Sequence, residues 1–270
     1  MKIVSWNIER GYHPNETVAF LKNLNADVYA LYELDRGVKR TKGVDMFSLI
    51  EEGLKMPGKY VKEFDEIESV WRTVIPWGGP GGGEIGNALF TRLPIVEYHS
   101  IELPTTSTLR YDGSTWVPEL FQPRRGSRKA QIATLETPFG IITCVAMHAE
   151  LWRSNWAHRK TQLETAIHNI PPQSLILMGD FNNVTGTISA SLSGKYDSTE
   201  VLSMREWLAS KELVDPFSNM DVTGGRLVFK SKIDWLAMGN NFRVREKEML
   251  HTLLSDHACL SVEIEPSSLA

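Results

Sequence analysis

Short apolar runs closed by a polar residue recur along the whole chain, while helical stripes are few. Residues 2–7, 28–33, 60–67, 88–92 and 130–136 read as strands, and 175–178 and 258–265 extend the series. Residues 129–136 (Lys-Ala-Gln-Ile-Ala-Thr-Leu-Glu) nearly alternate, which predicts one buried face. Thr137-Pro138-Phe139-Gly140 supplies turn chemistry, so 141–147 is expected to return as a hairpin partner. Helical spacing follows Asn15, a candidate cap for a helix with Val18, Leu21 and Leu24 on one stripe. A second helix is expected near 44–54, and a third from about 155 to 170, where Pro171-Pro172 stops it. Strands therefore outnumber helices. With no repeat, low-complexity tract or dividing linker, 1–270 reads as a single domain of mixed α and β structure.

Composition narrows the class without naming a partner. A hydrophobic fraction of 42% with 23% charged residues suits a large globular core, and no apolar run is long enough to span a bilayer. The start, Lys2-Ile3-Val4-Ser5-Trp6, lacks the pattern of a secretory signal. Cys144 and Cys259 both lie in apolar runs, so buried thiols in a reducing compartment are expected. That makes the cytoplasm the expected location, with no stable membrane association. The formal charge of −4 argues against a basic coat for nucleic acid, although a local field depends on distribution. Arg36, Lys39, Arg40 and Lys42 form one basic cluster, and Arg124, Arg125, Arg128 and Lys129 another. Each is read either as solvated surface or as an attractor of phosphate. The glycine-rich stretch 78–83 lacks the Lys-Ser/Thr ending of a P-loop and is expected to be a mobile surface loop. Loops 77–86 and 104–127 are expected to face substrate.

Chemistry concentrates at the ends of the apolar runs. Trp6-Asn7-Ile8-Glu9, Glu33, Gly179-Asp180-Phe181-Asn182 and Ser255-Asp256-His257 put Asn, Glu, Asp and His where α/β proteins build sites. Hard oxygen donors with one His suit Mg²⁺, with Mn²⁺ as a substitute, and Asp with His suits phosphoryl chemistry. A carboxylate that closes an apolar strand, as Glu33 does, has to be salt-bridged or metal-bound. Asp180 and Asn182, separated by Phe181, can point into one cleft. Asp234 lies between Ile233 and Trp235 and needs a partner if buried, and His148 closes an apolar run as a second candidate imidazole.

With Gly86-Asn87-Ala88-Leu89-Phe90-Thr91-Arg92, Met147-His148 and Ile233-Asp234-Trp235 added, the chain resembles the endonuclease/exonuclease/phosphatase superfamily, whose fold is that of pancreatic deoxyribonuclease. The resemblance runs from Lys2 to about Glu265. It implies a four-layer α/β/β/α sandwich, two packed mixed sheets with outer helices. It also implies that Asn7, Glu33 and Asp256 hold the metal, and that Asp180 aligns or deprotonates the attacking water. Asn182 is then expected to hold that water or the phosphate. His257, oriented by Asp234, and His148 are implied to contact the phosphoryl group, with Asn87 as a weaker substrate contact. Glu63, Glu66 or Glu84 is open as the acid behind His148. The second basic cluster adds Arg125 and Arg128 as candidate substrate contacts.

The expectation is a Mg²⁺-dependent phosphodiesterase using in-line attack by water, most naturally an endo- or exonuclease with DNA favoured. A phosphatase or phosphodiesterase of a small or lipid phosphate ester is the rival reading, and a non-catalytic binding module the remaining one. Trp71, Trp77, Trp116, Trp152 and Trp156 are read as base-stacking residues or as loop packing.

Overall fold

A computed structural model of the chain describes residues 1–73, 79–105, 123–150, 155–183, 199–219, 221–224 and 231–267. Among them, two mixed sheets lie face to face. The first is built from β1 (Lys2–Arg10), β2 (Val28–Arg36), β3 (Gly58–Glu66), β4 (Glu84–Thr91), β6 (Arg124–Gly126), β12 (Phe242–Leu250) and β13 (Cys259–Pro266), in the order β12-β13-β1-β2-β4-β3-β6. The second takes β5 (Ile95–Glu102), β7 (Lys129–Thr137), β8 (Gly140–His148), β9 (Leu175–Asp180), β10 (Leu213–Val214) and β11 (Asp234–Gly239), in the order β10-β11-β9-β8-β7-β5. Each sheet has the same kernel. In the first, β1 has parallel β2 on one side and antiparallel β13 on the other. In the second, β9 has parallel β8 and antiparallel β11.

Period-2 alternation sorts the apolar residues into three buried layers. Ile3, Val28, Ala30 and Leu89 of the first sheet meet Ala146, Ile176, Met178 and Leu236 of the second between the sheets. The opposite face of the first sheet, with Val4, Trp6, Ile8, Tyr29 and Leu31, is covered by α1 (Pro14–Leu24) and α2 (Met46–Leu54). The outer face of the second, with Val145, Met147, Leu177 and Trp235, is covered by α3 (Trp156–Ala166) and α4 (Thr199–Ser210). This is the α/β/β/α sandwich. Cys144 and Cys259 are buried free thiols, and burial pushes the Cys144 thiol up to about 12.

Several elements differ from expectation, each for a local reason. Asn15 does not cap α1. His13 occupies that position without a side-chain bond, and Pro14 starts the helix, where its missing N–H costs nothing. Asn155 and Asp45 do cap, accepting from the His158 and Ser48 amides. The third helix ends at Ala166, short of 170. Strands β5 and β12 and helix α4 were not expected; β5 and β12 lie at sheet edges, with exposed residues that blur the alternation. Part of the glycine stretch is packed, not a free surface loop: Gly81 accepts from the Lys39 amide, and a Cβ on it would stand 2.6 Å from the Ile67 carbonyl. Residues 77–78 and 106–122 of the two expected substrate loops lie outside the described residues, as do Trp77, Trp116, Trp152 and the side chain of Trp71. Trp156 packs against the helix-covered core of the second sheet. No described helix is long and apolar enough to cross a membrane.

Gly179 faces Met147 across the parallel β8–β9 pair, where an added Cβ would lie 2.1 Å from the Met147 carbonyl oxygen and 2.4 Å from the Phe181 ring. Gly179→Ala is therefore expected to lower stability by about 1–3 kcal/mol, the scale of overpacking. Urea unfolding checks this, and an unchanged midpoint would show that β8 and β9 separate freely there.

Candidate active site

At one end of the sandwich the inner faces of both sheets change from apolar to polar. Asn7 continues the inward parity of Ile3 and Ser5, Asn87 that of Leu89, His148 that of Cys144 and Ala146, and Asp180 that of Ile176 and Met178. Asp234 does the same ahead of Leu236 and Met238. All five are at least 97% buried. Tyr32 and Ser5 form the layer beneath, their hydroxyls 3.4 Å apart.

Glu33 reaches this end by a different route. Strict alternation after Val28, Ala30 and Tyr32 would send it to the helix side, but it has φ of +60° and the pairing slips between Leu31 and Leu34. Leu34 then packs with the helix-side core, and the Glu33 amide donates to Asn87 Oδ1 at 3.3 Å. The bulge re-aims the side chain. Glu9, Arg10 and Asn182 also have positive φ, at +47°, +66° and +52°, so strained backbone gathers at this end.

The Asp180 carboxylate is the hub. Its Oδ2 accepts from Asn7 Nδ2 at 3.1 Å and lies 3.4 Å from His148 Nε2 and 3.8 Å from His257 Nε2. Its Oδ1 accepts from the Asn182 amide at 3.1 Å, while the Asn182 side chain donates to the Ala149 carbonyl at 3.0 Å. Across the gap, His257 Nδ1 lies 3.0 Å from Asp234 Oδ2. Asp234 belongs to the second sheet and His257 to the loop before β13 of the first, so this contact ties the sheets together. The Asp256 carboxylate is 3.9 Å from His257 Nε2, and its amide donates to Glu9 Oε2 at 3.0 Å.

Electrostatics follow from that geometry. Burial pushes the Asp180 carboxyl up to about 7, with Asp234 and Glu33 adding to the rise and His257 and Asn7 opposing it. His257 is raised: burial opposes its charge, but Asp234 and Asp180 outweigh it. His148 is held well below the ordinary range by burial and by Arg128, and is therefore neutral. Burial would raise Glu33, but the charges of Arg10, Arg124 and His257 bring it down to about 2.

Among the described residues, the acids and imidazoles close enough to share an ion are Asp180, Asp234 and His257, within 4.8 Å of one another. Asp234 and His257 Nδ1 already engage each other, which leaves Glu33, Asp180, Asp256 and Asn7 Oδ1, itself accepting from the Glu9 amide at 3.0 Å, as the oxygen donors at this end. These fit such an ion. Glu33 is ionised with its side chain 25% exposed, which leaves room for water ligands. Arg10, 3.9 Å from Glu33, keeps that carboxylate charged in the ion-free state.

The remaining expected residues are placed less simply. Asn87 Nδ2 is buried at the site without a hydrogen-bond partner among the described residues. Arg125 is exposed on β6, whereas Arg128 is buried and bonded to Glu63 at 2.8 Å. Glu63 also accepts from the Lys129 amide, Glu66 faces arginines and Glu84 faces Arg36, while His148 Nδ1 has no hydrogen-bond partner among the described residues. Two positioning residues escaped sequence reasoning. Ser255 donates to the Asn7 carbonyl at 2.7 Å and accepts from the His257 amide. Thr223 Oγ1 accepts from the Ile233 and Asp234 amides at 2.9 and 2.8 Å. Ser255 stood within a quoted motif; Thr223 had no sequence signal.

An α/β/β/α sandwich carrying this acid–imidazole cluster at one end of its strands defines a class of hydrolase. The sequence model of the Endonuclease/Exonuclease/phosphatase family matches residues 4–257, and the chain belongs to that family of phosphoric ester hydrolases. No curated protein sequence gives a significant match. Among solved structures, the chain is similar to an endonuclease/exonuclease/phosphatase from Beutenbergia cavernae DSM 12333, with a TM-score of 0.68 and 18% identity over 98% of this chain and 71% of that one. It is also similar to the human Nocturnin catalytic domain (TM-score 0.61, 19% identity, 99% and 93% covered). A third is ANGEL2, a 2′,3′-cyclic phosphatase (TM-score 0.62, 14% identity, 97% and 94% covered).

The raised Asp180 carboxyl has a stability signature. With EDTA present, the folded state keeps a proton that the unfolded chain releases from about pH 4 upward. Asp180 thus favours folding at low pH, and that contribution is lost as pH rises to about 7. Asp180→Asn, always neutral, should gain stability relative to the parent across that window. Urea titrations at several pH values test this; a pH-independent difference would mean an ordinary carboxyl.

Proposed function

We propose that the protein is a divalent-metal-dependent phosphoester hydrolase that directs water in line onto phosphorus, and that its substrate is a compact phosphate ester. The observation that carries the chemistry is the convergence of Asn7, His148 and His257 on the one carboxylate of Asp180. A carboxyl poised near neutrality suits a general base, so Asp180 orients the water and takes its proton. His257, cationic and held by Asp234, offers Nε2 to the charge that develops on the phosphoryl oxygens. His148 donates as a neutral imidazole, and Asn87 Nδ2 contributes a further donor. A divalent cation held by Glu33 and Asn7, with Asp256 nearby, supplies Lewis-acid charge when bound, with Mg²⁺ the natural choice and Mn²⁺ a substitute.

The compact substrate is supported by the fate of the basic clusters. Arg36 is bonded to Asp45 and Glu84, Arg40 to Asp35 and Glu66, and Arg128 to Glu63; Arg124 is paired with Glu66. Cations so occupied do not make an exposed track for a polymer backbone. Nucleic acid, DNA included, is the second reading, supported by the exposed Arg125 and Lys42.

Hydrolysis is tested on bis(p-nitrophenyl) phosphate, nucleoside monophosphates, a sphingolipid, a phosphoinositide, RNA and DNA, each with Mg²⁺, Mn²⁺ or EDTA. Turnover of the small esters with a metal, and none with EDTA, is expected. DNA binding with a log–log salt slope near −0.9 for each of several phosphates would favour the nuclease instead. Glu33→Gln should weaken Mg²⁺ binding in calorimetry and lower hydrolysis by about 10²-fold at limiting Mg²⁺. Asp180→Asn should retain substrate binding and lose turnover; near-normal kcat would move the base elsewhere.

A further inference from the structure

The alternation along β7 puts a glutamine where the rule asks for an apolar side chain. Ala133 and Leu135 face inward between the sheets, and Gln131 shares their parity and is fully buried. On β8 it lies opposite Ala146, the inward neighbour of His148. Gln131 and His148 are therefore diagonal neighbours on one face, a separation of about 7 Å that long side chains bridge. An amide buried there needs a partner at each end. One end has it: the Tyr98 hydroxyl, from β5 on the far side of β7, donates to Oε1 at 2.9 Å. The planar amide leaves Nε2 turned away from β5, buried and without a hydrogen-bond partner among the described residues.

His148 is short of the complementary group. Its ring is buried and neutral, so it carries one proton. Nε2 lies 3.4 Å from Asp180 Oδ2, an oxygen already accepting from Asn7, and the proton belongs on that side. Nδ1 is then a bare acceptor, and it too is buried without a partner among the described residues. An acid behind the ring would draw the proton to Nδ1 and leave Nε2 with nothing to donate. Glu63 is instead taken by Arg128 and the Lys129 amide, and Arg128 by Glu63 and Glu150. Asn87 Nδ2 is another buried donor, but its Oδ1 is tied to the Glu33 amide on the first sheet. We propose that Gln131 is a positioning residue for His148, its Nε2 serving Nδ1 through one enclosed water and so fixing the ring with its proton on Nε2. The water accepts from the amide and donates to the imidazole, and so satisfies both groups. Gln131 touches no substrate; it keeps the Nε2 donor aimed at the phosphoryl group. The inference rests on the donor role given to His148 above.

The test labels histidine with ¹⁵N and reads the ring nitrogens of His148 through their couplings to the ring protons, near neutral pH in EDTA. His148→Gln assigns the signals. In the parent, Nε2 should carry the proton, and Nδ1 should resonate as a nitrogen that accepts a hydrogen bond. Gln131→Met keeps the length of the side chain and removes the donor, so Nδ1 should move toward the position of a bare imine nitrogen. Tyr98→Phe frees the other end of the amide and should move it the same way by less. With bis(p-nitrophenyl) phosphate and Mg²⁺, Gln131→Met should lower kcat by about tenfold, the scale of one hydrogen bond, with KM little changed. A proton on Nδ1 in the parent, or an Nδ1 signal unmoved in Gln131→Met, would overturn the proposal. If that variant does not fold, an unmoved signal in Tyr98→Phe does the same. The tautomer is read without turnover, so a parent that fails to hydrolyse the ester overturns the hydrolase reading and leaves the Gln131 contact to be decided by the spectrum.

Discussion

A carboxylate buried between two sheets, 1% exposed, sets the terms for everything around it. Asp180 closes β9, and the groups that make its burial tolerable come from both sides of the sandwich: Asn7 and His257 from the first sheet, His148 and the Asn182 amide from the second. A buried charge without such partners would cost several kcal/mol. The two kernels, β13-β1-β2 and β11-β9-β8, therefore have to meet in one register. A slip of one residue in either would turn its polar group onto the helix-covered face. The Asp234–His257 contact spans the same gap and fixes that register from the other side.

Much of this was legible in the sequence, because period 2 is a simple rule. Once residues 175–178 are read as a buried strand, the next inward position is Asp180, and the same counting delivers Asn7, Asn87 and His148. Glu33 was read as the end of its strand, but β2 continues to Arg36 and Glu33 sits at a bulge within it; its inward aim depends on a left-handed residue, and nothing about a glutamate announces φ of +60°. Edge strands β5 and β12 were missed because an edge needs little hydrophobicity. The acid behind His148 was sought among Glu63, Glu66 and Glu84, whose partners proved to be arginines and the Lys129 amide. Long-range pairing of that sort leaves no local pattern.

Helix α3 shows how the outer layer serves the site. Its buried face carries Arg159 and Gln162 beside Leu163, which is why its hydrophobic stripe is weak. Gln162 accepts from the Glu150 amide and donates to the Pro104 carbonyl, while Arg159 donates to the Glu150 carbonyl. These bonds satisfy backbone that would otherwise be stranded where β8 ends at His148. Glu150 in turn lies 3.9 Å from Arg128. Helix, strand end and arginine thus form one supporting chain behind the imidazole.

The place of β1 in the first sheet bears on how the molecule is made. Its neighbour β13 joins through pairs such as Lys2 with Glu263, and the Trp6 indole donates to the His257 carbonyl. On a growing polypeptide β1 and β2 emerge early, yet one flank of β1 stays bare until β13 has been synthesised. Contacts that distant in sequence form slowly, because a long loop must close before they return any energy. Asn7 is thus among the first residues of the candidate site to be translated and His257 the last, so the nascent chain holds half of that site, with an open strand edge, until β13 follows. The two sides of the site therefore come together only once β13 has paired with β1.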